Sequence, residues 1–244
     1  MKRGDRGTRI LALLAVIILA AIIAVTMRLV FYGQEYLSDR MSYEVLRESV
    51  MAEDAGEGNG STIDLNALRQ INPDAAGWLY ACNGDIDGPV AQAFDDDFYL
   101  THRFDGTEGK AGSFFTDKES VPPFRCPLTV IYGHNMKDGS MFHPLLKYRD
   151  EEYFRSFPDF TVYTFEGKKD YRIFSAFFAD FDMIPGVGDG EENSEAIIKK
   201  AREMSLYDTD TGDIPEDTRI VILVTCEYSG DDNRMAVYGI EAGN

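Results

Sequence analysis

Hydrophobic positions along this chain fall into three regimes. Residues 10–27 read ILALLAVIILAAIIAVTM, eighteen positions without a charge, a glycine or a proline. Coiled at ~1.5 Å per residue they make a helix of roughly 27 Å, close to the hydrocarbon thickness of a bilayer. Residues 34–52 carry a looser apolar face, with Leu37, Met41, Val45 and Leu46 at roughly helical spacing and Val50 and Met51 extending it, which predicts a helix following the first. Residues 53–61, EDAGEGNGS, are acidic and glycine-rich and predict a flexible linker. From residue 62 onward the pattern shortens. Apolar runs at 77–82, 90–93, 112–116, 128–132, 160–165, 171–178, 219–226 and 235–240 read as strands. Several are separated by turn-forming residues, among them Asn83-Gly84-Asp85, Asp87-Gly88-Pro89 and Glu166-Gly167-Lys168. Seven or eight short strands with few helices predict a mainly β fold, closed or nearly closed into a barrel.

The helices expected within this domain are short. Asp64 can cap one that runs to about Gln70 and ends at Asn72-Pro73. A second helical piece is expected at 141–154. Ser194 can cap a third, EAIIKKAREMSL, with Ile197, Ala201 and Met204 on one face. It lies in a long insertion, 182–218, between two predicted strands.

Charge gives the first segment a direction. Lys2, Arg3, Arg6 and Arg9 precede the apolar run against a single Asp5, so the positive-inside rule places the N-terminus in the cytoplasm and the rest outside. A cleaved signal peptide is the alternative. The run is longer than a typical signal core, and Arg28 closes it without a clear small-residue cleavage site. The expected organisation is a cytoplasmic tail at 1–9, a transmembrane anchor at 10–30, a juxtamembrane helix and linker at 31–61, and one extracellular domain at 62–244. The chain as a whole carries a net charge of −18, and residues 1–30 contribute +4 of it, leaving −22 outside. So acidic a domain argues against nucleic acid and against tight docking on anionic lipid. The clusters at 95–97, 150–152 and 191–192 read as solvated surface, with calcium binding the alternative.

Three cysteines are too few for a disulfide scaffold. Cys82 and Cys126 sit in or beside apolar runs, where a buried inert thiol is the default. Cys226 differs. It ends the run IVILVTC, a polar glycine-containing stretch follows, and Arg234 opens the next run. Read as an antiparallel hairpin, this places a thiol at the exit of one strand and a permanent cation at the entry of its neighbour. The thiolate is the nucleophile, and a nearby cation favours it. A cysteine nucleophile needs a proton partner, usually histidine. Of His102, His134 and His143, only His134 follows an apolar strand, LTVIYG, into a loop. No cysteine or histidine pair has close metal-ligand spacing, so neither a metal nor a cofactor is expected.

These residues carry a family resemblance. IYGHNMKDGSMF (131–142) and VTCEYSGDDNR (224–234) resemble the histidine and Thr-Cys…Arg motifs of the sortases. INPDAAGWLY (71–80) and PVAQAFDDDFYL (89–100) resemble the N-terminal region of class B members in particular, and GSFFTD (112–117) resembles a further strand of the family. The resemblance covers the chain from about residue 62 onward. It implies an eight-stranded sortase-type β-barrel behind an N-terminal transmembrane helix. It also implies a membrane-anchored cysteine transpeptidase that cleaves a C-terminal sorting motif after Thr and joins the acyl group to a peptidoglycan amine of a Gram-positive-type envelope. Cys226 would be the nucleophile, His134 the acid and base, and Arg234 the group that holds substrate or oxyanion. The Glu227 N–H would be a second oxyanion donor, and Leu100 and Thr225 would line the substrate groove. The implied partners are sorting-motif-bearing surface proteins and a peptidoglycan precursor. A pilin lysine as acceptor, a catalytically inactive peptide-binding barrel and a plain cysteine protease are the rival readings.

Overall fold

The structure is a computed structural model, and it describes residues 4–53, 61–92, 94–95, 97–188, 193–209, 212, 214–215, 218–226 and 233–242. At Cys226 the description extends to the backbone alone.

One helix, α1 (Gly4–Val50), takes up both predicted N-terminal helices. The stretch Gly7–Phe31 within it is long and apolar enough to cross a membrane. The two predicted helices run on as one because no proline and only Gly33 stands between them. The C-terminal turns of α1 dock on the globular part. Tyr43 donates its hydroxyl to the Gly112 carbonyl (2.7 Å), and Arg47 pairs with Asp87 (2.5 Å), which also accepts from the Trp78 indole (2.6 Å). The helix ends at Val50, and β1 (Met51–Glu53) pairs with β2 (Ser61–Ile63). The ends of the predicted linker are therefore paired strands, and its middle, 54–60, lies outside the described residues.

Helix α2 (Leu65–Ile71) starts where Asp64 accepts from the N–H groups of Asn66 and Ala67. The strands β3 (Ala75–Ala81), β4 (Ile86–Ala91), β5 (Phe114–Thr116), β6 (Leu128–His134), β7 (Asp159–Thr164), β8 (Gly167–Asp180), β9 (Ile220–Cys226) and β10 (Asn233–Glu241) follow. They close into a barrel in the order β10-β8-β7-β3-β4-β5-β6-β9. Two junctions are parallel, β4 with β5 and β6 with β9. Strand β9 is buried on both faces. Ile220, Ile222 and Val224 pack in one apolar cluster with residues of α2 and of α5 (Ser194–Met204), while Val221 and Leu223 pack in a second with Leu145 and Tyr148. Burial on both sides is why this strand reads as an unbroken apolar run rather than an alternation.

Three local expectations change. Asn193, not Ser194, caps α5, accepting from Ala196 N–H at 2.8 Å from an extended backbone. The piece expected at 141–154 splits into a 3-10 stretch at His143–Arg149 and α4 (Glu151–Ser156), because Asp150 leaves helical geometry to cap α4 through Tyr153 N–H. A single turn, α3 (Phe98–Thr101), forms where no helix was expected.

Candidate active site

Strands β6 and β9 run side by side in the same direction, and their last partners are Gly133 with Thr225 and His134 with Cys226. Strand β10 returns along the other side of β9 with Ala236 opposite Val224. Two residues further along each of these strands stand Arg234 and Cys226. The three residues singled out in the sequence thus occupy one edge of three consecutive barrel strands. Tyr132 and Ala236 belong to one apolar cluster. By the two-residue alternation of strands, His134 and Arg234 continue that same face.

His134 is half-buried. Its Nε2 donates to the Leu100 carbonyl at 2.7 Å, which makes it the Nε2–H tautomer and leaves the lone pair on Nδ1. Burial pushes its pKa below the ordinary histidine value, and the Leu100 hydrogen bond opposes this more weakly. Neutral in the fold, His134 resists a proton that the unfolded chain takes up near pH 6.5. Its contribution to stability is therefore present above pH 6.5 and is lost as pH falls from there through the folded value. Urea midpoints measured between pH 7 and pH 5 should fall for the wild type and fall less for His134→Gln. Parallel curves for the two proteins would contradict this assignment.

Arg234 lays its guanidinium over the Phe181 ring, 4.3 Å from the centroid, and its buried Nε has no hydrogen-bond partner among the described residues. An unengaged buried donor at a strand edge is what a site built to receive an oxygen would hold. Phe181 was not singled out in the sequence, where it reads as one more aromatic in FFADFDM. Thr225 is buried, and its hydroxyl accepts from Met235 N–H at 2.9 Å, tying β9 to β10 next to the shared edge. Leu100 packs against the same apolar cluster as Tyr132. Glu227 lies outside the described residues.

The other candidates are absorbed by local structure. His102 Nδ1 donates to the Phe98 carbonyl at 2.8 Å and its ring stacks on Phe98. His143 Nδ1 is 2.9 Å from Asn135 Oδ1. Cys82 and Cys126 are both free thiols. Cys82 is buried, and burial pushes its thiol up to about 12, so it is not a thiolate near neutrality. Cys126 donates to the Leu128 carbonyl at 2.9 Å.

Solved structures that share this barrel are cysteine transpeptidases of the sortase type. Sortase B from Bacillus anthracis in complex with AAEK1 superposes with a TM-score of 0.75 at 28% identity, over 87% of this chain and 100% of that one. The Staphylococcus aureus sortase B–substrate complex shares the fold, with a TM-score of 0.74 at 22% identity, over 86% of this chain and 98% of that one. No family model matches the chain. Sortase B of Listeria monocytogenes serovar 1/2a is 32% identical over 216 residues, which span 85% of this chain and 87% of that protein. The chain belongs to the sortase B family, and it is a sortase transpeptidase of the cell envelope.

Proposed function

We propose that this enzyme is anchored by α1 with its N-terminus in the cytoplasm and residues 62–244 as an extracellular catalytic domain. There it cleaves a C-terminal sorting motif after Thr and transfers the acyl group to a peptidoglycan amine. The observation that carries the reading is the pairing of His134 with Cys226 at the ends of adjacent parallel strands. Strand spacing of roughly 4.8 Å brings two such residues within reach of one proton transfer.

The proposed steps use these residues in turn. The Cys226 thiol proton moves to Nδ1 of His134, the ring nitrogen not engaged by Leu100. The thiolate attacks the Thr carbonyl carbon, forming a C–S bond, and the carbonyl electrons move to oxygen. Arg234 and the Glu227 N–H stabilise that oxyanion. As the tetrahedral adduct collapses, the C–N bond breaks and His134 returns its proton to the departing amine. The acceptor amine then attacks the thioester, His134 takes the amine proton, the C–S bond breaks to release an amide and the Cys226 thiolate, and His134 passes that proton to the sulfur to restore the free cysteine. Splitting the transfer through an acyl-enzyme divides one hard step into two. Leu100 and Thr225 are assigned to the groove walls by the family resemblance. The S. aureus neighbour, solved as a substrate complex, supports a peptide-binding groove on this barrel.

The test is incubation of the full chain in detergent with LPxTG-type and NPxTx-type peptides and an amine acceptor, read by mass. The expected product joins the peptide through its Thr to the acceptor. Hydrolysis that added amine never diverts would make the enzyme a protease instead. Covalent ladders of a single pilin would make the acceptor a pilin lysine.

A further inference from the structure

The imidazole of His134 is held by a backbone carbonyl, so whatever fixes that carbonyl fixes the imidazole. The carbonyl belongs to Leu100 in α3, a helix of one turn. So short a helix leaves its own carbonyls without intrahelical partners. Each finds one elsewhere: Phe98 accepts from His102 Nδ1, Tyr99 from Ser113 N–H, Leu100 from His134 Nε2 and Thr101 from Gly109 N–H. The turn is a small plate whose edge is aimed at His134.

A polar network behind the plate sets its position. Tyr99 is buried, and its hydroxyl donates to Asp74 (2.9 Å) while accepting from Asn72 Nδ2 (2.6 Å). Burial raises the Tyr99 pKa, which keeps this hydroxyl a donor. Asn72 is itself buried. Its Nδ2 also donates to the Phe104 carbonyl (2.6 Å), and its Oδ1 accepts from Asp74 N–H (2.9 Å). Both Nδ2 contacts lead to the segments around α3, and the Oδ1 contact holds Asp74 beneath Tyr99. Gly112 closes the plate from the opposite side. It has a φ of +58°, and a Cβ there would stand 2.5 Å from the Tyr99 carbonyl oxygen and 2.8 Å from that of Leu100. Only glycine fits so close an approach at positive φ.

We propose that Asn72, Tyr99 and Asp74 are positioning residues for His134: their network seats α3 so that the Leu100 carbonyl holds the imidazole as the Nε2–H tautomer, with Nδ1 left as the proton acceptor. The sequence motifs INPDAAGW and DDDFYL, far from the cysteine in the chain, thereby acquire a role in the proton transfer. This rests on His134 being the acid and base, and the test separates the two ideas. The full chain has three histidines, so ¹⁵N-histidine labelling gives three ring systems, and His134→Gln removes the one of interest.

The wild type should show His134 as the Nε2–H tautomer. Tyr99→Phe and Asp74→Ala should each give a mixture of tautomers, with kcat for peptide transfer lowered roughly threefold to tenfold and KM little changed, as the loss of one network hydrogen bond implies. Asp74→Asn keeps an acceptor for Tyr99 and should behave as wild type. Asp74 is exposed, so Asp74→Ala decides the matter should Tyr99→Phe fail to fold. A wild-type tautomer in Asp74→Ala, or in a folded Tyr99→Phe, would overturn the proposal even if melting temperature drops. Mixed tautomers with an unchanged transfer rate would uphold the positioning and overturn His134 as the acid and base.

Discussion

Cys226→Ala should abolish both cleavage and transfer, lowering the rate by a factor on the order of 10⁴ or more. The size follows from the lack of a substitute. Cys82 is buried with its thiol pushed up to about 12, and Cys126 donates a hydrogen bond to the carbonyl of Leu128, which starts β6 at the end opposite His134. Cys226→Ser should fare little better, because a serine hydroxyl beside a half-buried neutral imidazole remains a weak nucleophile. Removing Cys226 and His134 together should cost about as much as removing either, since the proposed mechanism has both serve one proton transfer. Mass analysis of the peptide and amine reaction measures all three. A Cys226→Ala protein within tenfold of wild type would remove the cysteine from the mechanism.

Arg234→Lys should lower kcat by about 10² to 10³-fold while leaving the protein folded. Lysine keeps the charge but loses the planar fork. In the native enzyme the guanidinium lies over the Phe181 ring, and its buried Nε has no hydrogen-bond partner among the described residues. An ammonium on a flexible stem has no such plane. If Arg234 served only as a surface charge, Lys would restore activity fully, and that result would place the oxyanion donor elsewhere. Phe181→Leu tests the same point from the other side. It preserves the cation and removes the ring, so it should fall between wild type and Arg234→Lys in the same assay.

Much of the barrel is legible in the chain because its strands are short, apolar and punctuated. All eight predicted strands appear, and the hairpin from β9 to β10 has the antiparallel pairing expected of it. The clearest boundary error is β4. Asp87-Gly88-Pro89 reads as a turn, yet all three residues lie within the strand. Proline is tolerated because β4 pairs with β5 only at Val90 and Ala91, so Pro89 owes no N–H on that side. Gly88 lies close under the Phe114 ring, and Asp87 serves Trp78 and Arg47. Neither Phe114 nor Arg47 is near in sequence. At the site, the side chains with distinctive chemistry were readable and the Leu100 carbonyl was not. A main-chain acceptor has no residue signature, so its role is visible only once α3 has been folded against β6.

Helix α1 has no joint between Gly4 and Val50. From Phe31, where the apolar span ends, to Tyr43, where the helix grips the barrel, the rise is roughly 18 Å. Under the proposed anchoring, a jointless mast of that kind sets a stand-off between bilayer and groove. A substrate tethered in the same membrane must climb to the groove by its own length, at roughly 3.3 Å per extended residue. Under the proposed anchoring, the number of residues between a substrate's sorting motif and its membrane tether becomes a selection rule alongside the motif itself, a ruler as well as a password.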